Sequence, residues 1–288
     1  MPELPEVETI RRQLVPELKS RSIKKVDVRL PKMVRGRLAA YKKNISGSKI
    51  INVGRRGKLL VISMANNYSF LIHLKMTGQI IHRRGQKTKA GGHPIKDGAV
   101  NLPNKYTHII WYLSGGGVLY FNDIRQFGFT KLIKTEELEN FYNDLKLGPE
   151  PLKKQFTMDF FKSLLRRRGG MKVKQLLLDQ TAIAGIGNIY AAEACFDARI
   201  MPTRRAGSLS SPEALKLYRA IKKILIKAIV AQGTSSQNYV DAHGNPGGYF
   251  PKLKVYSRGG QACFRCHTKI KSIKLGGRTT TFCPQCQK

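Results

Sequence analysis

Residues 173–196 read VKQLLLDQTAIAGIGNIYAAEACF. An apolar helical stretch runs into a glycine-rich turn, and a second helical stretch follows. Asn188 comes directly after Gly185-Ile186-Gly187 and directly before the periodic residues, which places it at a helix N-terminus. Free backbone N–H groups at such an end attract anions, and glycines there let a phosphate approach the backbone closely. An ordinary helix cap reads the same way, so the turn alone leaves both open. Helical patterns surround it at 156–168, 172–180, 188–197 and 212–232. The C-terminal half is therefore helical around a helix–turn–helix element.

Downstream, Cys263-x2-Cys266 and Cys283-x2-Cys286 are separated by sixteen residues, a spacing that fits a zinc site. Four thiolates complete a tetrahedral, structural set with no open position for chemistry. His267 is then a bystander. Two disulfides are the alternative, which a reducing compartment disfavours. Between the pairs, Gly276-Gly277 is a two-residue turn flanked by strand formers, so the module is a β-hairpin with Arg278 just past its tip. Arg278 could grip phosphate or be a solvated surface charge. The fifth cysteine, Cys195, stands in an apolar context and reads as a buried thiol.

Upstream the texture changes. Pro5 to about Lys19 reads as a helix, with Val7, Ile10, Leu14 and Leu18 at helical spacing and proline suited to the first turn. From about Ser22 to Leu132 come short β-rich runs such as KLLVISM, YSFLIHL, THIIWYL and GVLYFND, separated by turn signals; strands in series suggest a sandwich or barrel. Residues 84–104 read as an exposed loop, LGPEPLKK within 134–155 as a linker, and 233–250 as a long polar loop of the functional kind. The fold class expected is α+β in two domains. Residues 1–133 form the β domain with its N-terminal helix, 134–155 the linker, 156–254 the helical domain carrying loop 233–250, and 255–288 the zinc finger.

The 288 residues carry 52 Lys and Arg against 18 Asp and Glu, a net charge of +34. Such a charge speaks to partners rather than fold. Nucleic acid is the first candidate, because phosphate neutralisation releases counterions; an anionic membrane or a ribosome-associated surface is the alternative. The positive residues are spread along the chain, which favours a folded binding face over a basic tail. No run approaches a membrane span, and no secretory pattern opens the chain. The expected location is cytoplasmic, and the absence of heptads or a broad apolar stripe suggests a monomer.

Against this basic background the chain opens MPELPEVET, with Glu3, Glu6 and Glu8 beside the N-terminus. Loss of the initiator methionine before Pro2 would leave a free secondary amine. An α-amino group has a pKa of about 7.7–8.0, against about 10.4 for lysine, so its neutral fraction at pH 7 is larger by roughly 300-fold. Such an amine attacking a sugar C1′ gives an iminium ion directly. Glu3 could then protonate the sugar ring oxygen; Glu6 could orient the amine or a water, while Glu8 is expected to face solvent. The plainer alternative is an acidic first turn matching the helix dipole.

The motifs PELPEVET, GKLL near 57, HLKMTG at 73–78, DIRQFG at 123–128, LLLDQTAIAGIGNIY at 176–190 and the terminal four-cysteine finger occur in this order. Together, over essentially the whole chain, they resemble the bacterial formamidopyrimidine-DNA glycosylases, the 8-oxoguanine glycosylases of the helix–two-turn–helix superfamily. The resemblance implies an N-terminal β-sandwich, a helix–two-turn–helix domain and one structural zinc held by Cys263, Cys266, Cys283 and Cys286. It implies a bifunctional DNA glycosylase and AP lyase acting on oxidised purines in duplex DNA. Pro2 falls on the Schiff-base nucleophile and Glu3 on the proton donor, with Glu6 in support. Lys58 falls on the lysine linked to β-elimination and to placing the lesion-side phosphate, and Arg278 on the zinc-finger arginine linked to phosphate contact and δ-elimination. Met76, Arg125 and Phe127 match the triad that fills the gap left by a flipped nucleotide. Loop 233–250 matches the region capping the flipped purine. Lys174 and Asn188 match positions near the DNA backbone.

Three departures stand out. Ala192 replaces an acidic or polar residue. Tyr106 stands where a DNA-facing histidine is usual, with His108 two residues away. Gly169 occupies a basic slot for which Arg168 could substitute. Within the same scaffold, a relative specialised for oxidised pyrimidines and a non-catalytic DNA-binding zinc protein are the alternatives; intact Pro2, Glu3 and Lys58 argue against the second.

Overall fold

The computed structural model describes residues 1–92, 101–234 and 247–288. They form two compact units. The first comprises residues 1–142 and 229–250, the second residues 143–228 and 251–288. Residues 229–250, read from sequence as part of the helical half, thus group by contact with the β half. Among the described residues no helix is long and apolar enough to cross a membrane.

The first unit opens with α1 (Leu4–Leu18), whose Ile10, Leu14 and Leu18 are fully buried, as the helical spacing requires. Ten strands follow: β1 (Ile23–Val28), β2 (Val34–Arg35), β3 (Ile50–Arg56), β4 (Leu59–Met64), β5 (Tyr68–His73), β6 (Gly78–Arg84), β7 (Lys87–Gly92), β8 (Thr107–Leu113), β9 (Gly117–Asp123) and β10 (Phe129–Lys134). They make two five-stranded sheets, ordered β1-β8-β9-β6-β7 and β2-β10-β5-β4-β3. Inward side chains of both sheets share one core with α1. Within it the sole tryptophan, Trp111 on β8, stacks on Phe70 of β5 at 5.5 Å between ring centroids, one ring from each sheet. Helix α1 packs on β3 and β7, the end strands on one side. A second helix, α2 (Leu38–Ile45), packs on β1 and β2 at the other. Both open sides of the sandwich are therefore capped, which protects its edges.

The structure departs from the sequence reading in places. The exposed loop expected over 84–104 contains β7, which pairs along the length of β6; residues 93–100 lie outside the described residues. Helix α2 interrupts the region read as purely β-rich. The stretch read as a linker contains α3 (Leu138–Asp144), and its later part is pinned: Gly148 N–H donates to the Gln180 carbonyl, and Ala184 N–H to the Pro149 carbonyl.

The second unit holds α4 (Met158–Arg167), α5 (Val173–Leu178), α6 (Asn188–Asp197) and most of α7 (Ser211–Val230), close to the helices expected. A hairpin of β11 (Lys271–Leu275) and β12 (Arg278–Phe282) closes the chain. Leu275 pairs with Arg278 across Gly276-Gly277, both at positive φ (+54° and +72°), the turn geometry that favours glycine at both positions.

Candidate active site and nucleic-acid surface

In the first unit, Pro2, Glu3 and Glu6 are all buried at the start of α1. The chain folds back here through one carboxylate. Glu3 N–H donates to Glu6 Oε2 at 2.8 Å, the reach-back half of a capping box. The other oxygen, Glu6 Oε1, accepts the Thr234 N–H at 2.9 Å. Glu6 therefore ties the chain start to the base of the polar loop. That base is paired: Thr234 bridges Gly248, and Tyr249 N–H donates to the Gly233 carbonyl at 3.0 Å. Residues 235–246 lie outside the described residues, and with them most of the expected lesion-capping loop.

Glu8 does not face solvent as expected from sequence. It is 8% exposed and accepts hydrogen bonds from Arg11, Arg12 and Arg55. Burial alone would raise its pKa; the hydrogen bonds from Arg11 and Arg12 and the charges of Arg11 and Arg55 outweigh that and hold it at about 2. Arg55 carries the link onward, donating from Nη1 to the Gly57 carbonyl at 2.8 Å. Gly57 and Lys58 are the two-residue turn between β3 and β4, with Gly57 at φ +58°. Lys58 thus sits on a turn rather than within the strand, and the Glu8–Arg55 brace connects that turn to α1. Lys58 is itself buried.

His73, passed over in the sequence, ends β5 within the electrostatic reach of Lys58. Burial first, then the charges of Lys75, Lys58 and Arg35, lower its pKa to about 3. It is neutral at pH 7, and its Nδ1 accepts the Lys75 N–H at 2.9 Å. The ring proton is therefore on Nε2, making it a donor.

Two loops of this unit carry Met76, Arg125 and Phe127, the residues read from sequence as gap-filling. Met76 is 42% and Phe127 53% exposed, unusual for such large apolar side chains. The Arg125 guanidinium lies 4.7 Å from the centre of the Phe127 ring. What holds the loops together is Asp123, fully buried and missed from sequence although it heads DIRQFG. Its carboxylate accepts from the Thr77 hydroxyl, from Arg125 N–H at 3.2 Å and from Gly128 N–H at 2.7 Å. One carboxylate thus bonds the loop of Met76 to the loop of Arg125 and Phe127. The His108 ring is hydrogen-bonded to the Asp123 carbonyl at 2.7 Å and is buried, so it is not the surface group left by the Tyr106 departure. Tyr106 is half-buried, with the Lys105 amine 5.2 Å from its ring centre.

In the second unit, Arg166, Arg167 and Arg168 are exposed at the C-terminal end of α4. Gly169 is backed against Gly207, whose N–H donates to the Gly169 carbonyl at 3.0 Å; a Cβ at Gly169 would lie 3.3 Å from the Gly207 Cα. That close approach favours a glycine at position 169. Asn188 is the first residue of α6 after Gly187. Gln180 shapes the turn before it, donating to the Leu178 and Ile186 carbonyls and accepting from Gly185 N–H. Lys174 is enclosed, 1% exposed, and Arg278 is exposed at the hairpin turn.

The four cysteine sulfurs Cys263, Cys266, Cys283 and Cys286 lie within 4.8 Å of one another. Three of the separations are 3.3, 3.5 and 3.9 Å. Tetrahedral zinc with Zn–S near 2.3 Å needs sulfurs about 3.8 Å apart, so the set fits one structural zinc. Backbone N–H groups of Arg265 and Cys286 point at Cys263 and Cys283 sulfurs, both at 3.4 Å. Ala192, the first of the departures, packs with Phe196, Val255 and Ile270 against Cys263 and Cys283. A small apolar residue there joins α6 to the metal module. The next residue, Glu193, is buried and accepts the N–H groups of Lys254, Val255 and Tyr256. Burial holds its pKa above the ordinary carboxylate range, and those N–H groups offset only part of the rise. Cys195 is buried as expected, its thiol pushed up to about 12 by burial.

Three family models match in the order of these parts. The formamidopyrimidine-DNA glycosylase N-terminal domain matches residues 1–130, the formamidopyrimidine-DNA glycosylase H2TH domain residues 147–240, and the zinc finger found in FPG and IleRS residues 260–288. A formamidopyrimidine-DNA glycosylase of Pelotomaculum thermopropionicum is 44% identical over 289 residues, covering 100% of this chain and 99% of the relative. A crystal structure of a Lactococcus lactis FPG variant with Fapy-dG-containing DNA superposes with a TM-score of 0.90 at 33% identity, covering 100% of both chains. Another, of Lactococcus lactis Fpg with abasic-site DNA, gives 0.89 at 32% identity over 99% of both. The buried carboxylates at the head of α1, the four-sulfur module and the full-length likeness converge: this chain belongs to the formamidopyrimidine-DNA glycosylase family of DNA-repair enzymes.

Proposed function

We propose that the chain is a bifunctional DNA glycosylase and AP lyase of base excision repair. It removes oxidised purines, 8-oxoguanine and formamidopyrimidines, from duplex DNA and then nicks the strand. The observation that carries this reading is the local build of the chain start: Glu6 holds the Glu3 backbone by a 2.8 Å hydrogen bond, which fixes the chain at the residue next to Pro2. The Lactococcus relatives bound to Fapy-dG and abasic-site DNA support the substrate class.

With Met1 attached, the Pro2 nitrogen is an amide and no nucleophile; removal of Met1 frees a secondary amine. The neutral amine attacks C1′ of the damaged nucleotide and the base leaves, taking up the proton that the amine gives up; Glu3 protonates the ring oxygen and the C1′–O4′ bond breaks, which opens the sugar ring. The iminium ion formed draws electrons from C2′. Loss of a C2′ proton expels the 3′ phosphate, and a second elimination expels the 5′ phosphate. Lys58 serves the first elimination and holds the lesion-side phosphate, and Arg278 serves the second. Met76, Arg125 and Phe127 fill the gap left in the duplex, the first and last replacing stacking and the arginine satisfying the orphaned base. Tyr106, Arg168 and Asn188 belong to the DNA-facing set, with Lys174 enclosed behind the hairpin. The protein works as a monomer on chromosomal DNA in the cytoplasm.

Borohydride trapping on a duplex holding 8-oxoguanine opposite cytosine tests the scheme. The processed protein forms a covalent adduct, and Pro2→Gly loses most of it. Equal trapping with the N-terminus blocked, or full activity with Met1 retained by mass spectrometry, would falsify the proline mechanism.

A further inference from the structure

Lys174, on α5, is 1% exposed and among the largest side chains so fully enclosed. An ammonium taken out of water is costly unless its hydrogens find acceptors. Here the Nζ donates to the Thr280 hydroxyl at 2.8 Å and to the Thr279 carbonyl at 3.3 Å. The same Thr279 carbonyl accepts from Asn188 Nδ2 at 3.2 Å. One residue on from Lys174, the Gln175 amide sits against the hairpin tip: a Cβ at Gly276 would lie 2.9 Å from Gln175 Nε2. Helices α5 and α6 thus grip the hairpin at residues 276, 279 and 280. Between those held points stands Arg278, exposed, with its neighbour Thr279 held at its carbonyl by both a lysine and an asparagine.

A phosphate-contacting lysine needs its amine at the surface. This one is capped by oxygens of its own chain. We infer that Lys174 is a positioning residue: its amine, together with the Asn188 amide, fixes the Thr279–Thr280 backbone and so the direction in which Arg278 leaves the hairpin. It acts on DNA through Arg278 and not by touching phosphate. This rests on the reading of Arg278 as the phosphate-contacting group of the proposed function.

A double-mutant cycle on full-length, zinc-loaded protein tests it, with affinity for a duplex carrying an abasic analogue measured across a salt series. Arg278→Ala lowers affinity and reduces the salt slope by about one contact, roughly 0.9. Lys174→Met lowers affinity several-fold and lowers the δ-elimination share of the products, with zinc content unchanged. Thr280→Val, which removes the hydroxyl acceptor and leaves the lysine in place, moves both readouts the same way. In the Arg278→Ala background, Lys174→Met has no further effect on affinity or slope. A further tenfold loss there, with a second drop in slope, means a direct phosphate contact and overturns the inference. So does a Thr280→Val variant with wild-type affinity and products. Wild-type affinity in Arg278→Ala alone sinks instead the role given to Arg278. Amide exchange then reads Lys174 separately: Lys174→Met speeds exchange at 278–281 if it is a brace, and unchanged exchange overturns it.

Discussion

Glu6 and Glu3 divide the work of a single helical turn. Both oxygens of Glu6 are taken by backbone N–H groups, one from Glu3 and one from Thr234, so Glu6 serves geometry and Glu3 is the residue cast as proton donor. Replacing Glu3 by Gln keeps the size and removes the proton. Single-turnover excision of 8-oxoguanine is expected to fall by at least about 100-fold, the usual range for a positioned acid. Adduct trapping on a preformed abasic site, where no base has to leave, is expected to persist. Equal losses in both assays would remove the acid role from Glu3. Pro2 and Glu3 could be read from the sequence because their partnership is adjacency along the chain. Glu8 could not: Arg55 lies 47 residues away, and an acidic residue in a first helical turn looks solvated when its distant partner is unseen. Asp123 escaped for the same reason, since Thr77 comes to it from another strand end.

At the level of elements, the Glu8–Arg55–Gly57 chain joins the first helix to the turn that presents Lys58. Its strength depends on pH in a definite sense. The Glu8 carboxyl sits at about 2 in the folded protein against an ordinary 4.5. Its contribution is therefore complete above about pH 4.5 and is lost as pH falls toward 2. Glu8→Gln is expected to cost on the order of 2 kcal/mol at pH 7 and almost nothing near pH 2. Urea unfolding at pH 7, 4 and 2.5 measures this, and a cost that does not shrink with acid would refute the brace. The elements the sequence hid are those made by their surroundings. Strand β7, KTKAGG, has little strand propensity of its own and exists because β6 pairs along it. Its Gly92, at φ +122°, lies so close to the Gly78–Gln79 backbone that a side chain has no room. Helix α2 buries only Tyr41 and Ile45, too few apolar positions for a visible period. By contrast α1, α7 and the Gly276-Gly277 hairpin show their period or turn chemistry openly.

For the molecule as a whole, the zinc module is not an appendage. Cys263 and Cys283 share a core with Ala192 and Phe196 of α6, and Glu193 anchors residues 254–256. Zinc stripped by a strong chelator is therefore expected to loosen the hairpin that carries Arg278 and abolish specific DNA binding, which zinc restores. Full binding by metal-free protein would show that the hairpin stands without the ion. The domain order was legible because each part has its own local chemistry in the sequence; the grouping of residues 229–250 with the β half was not, because it shows in a hydrogen bond to Glu6 from 228 residues away. The indole of Trp111 adds a practical consequence. Being the chain's single tryptophan and stacked on Phe70 in the sandwich interior, it makes near-ultraviolet emission a private optical reporter of that half. Chelator titrations should leave its spectrum still while circular dichroism changes, which separates melting of the metal-bearing half from global denaturation without any added label.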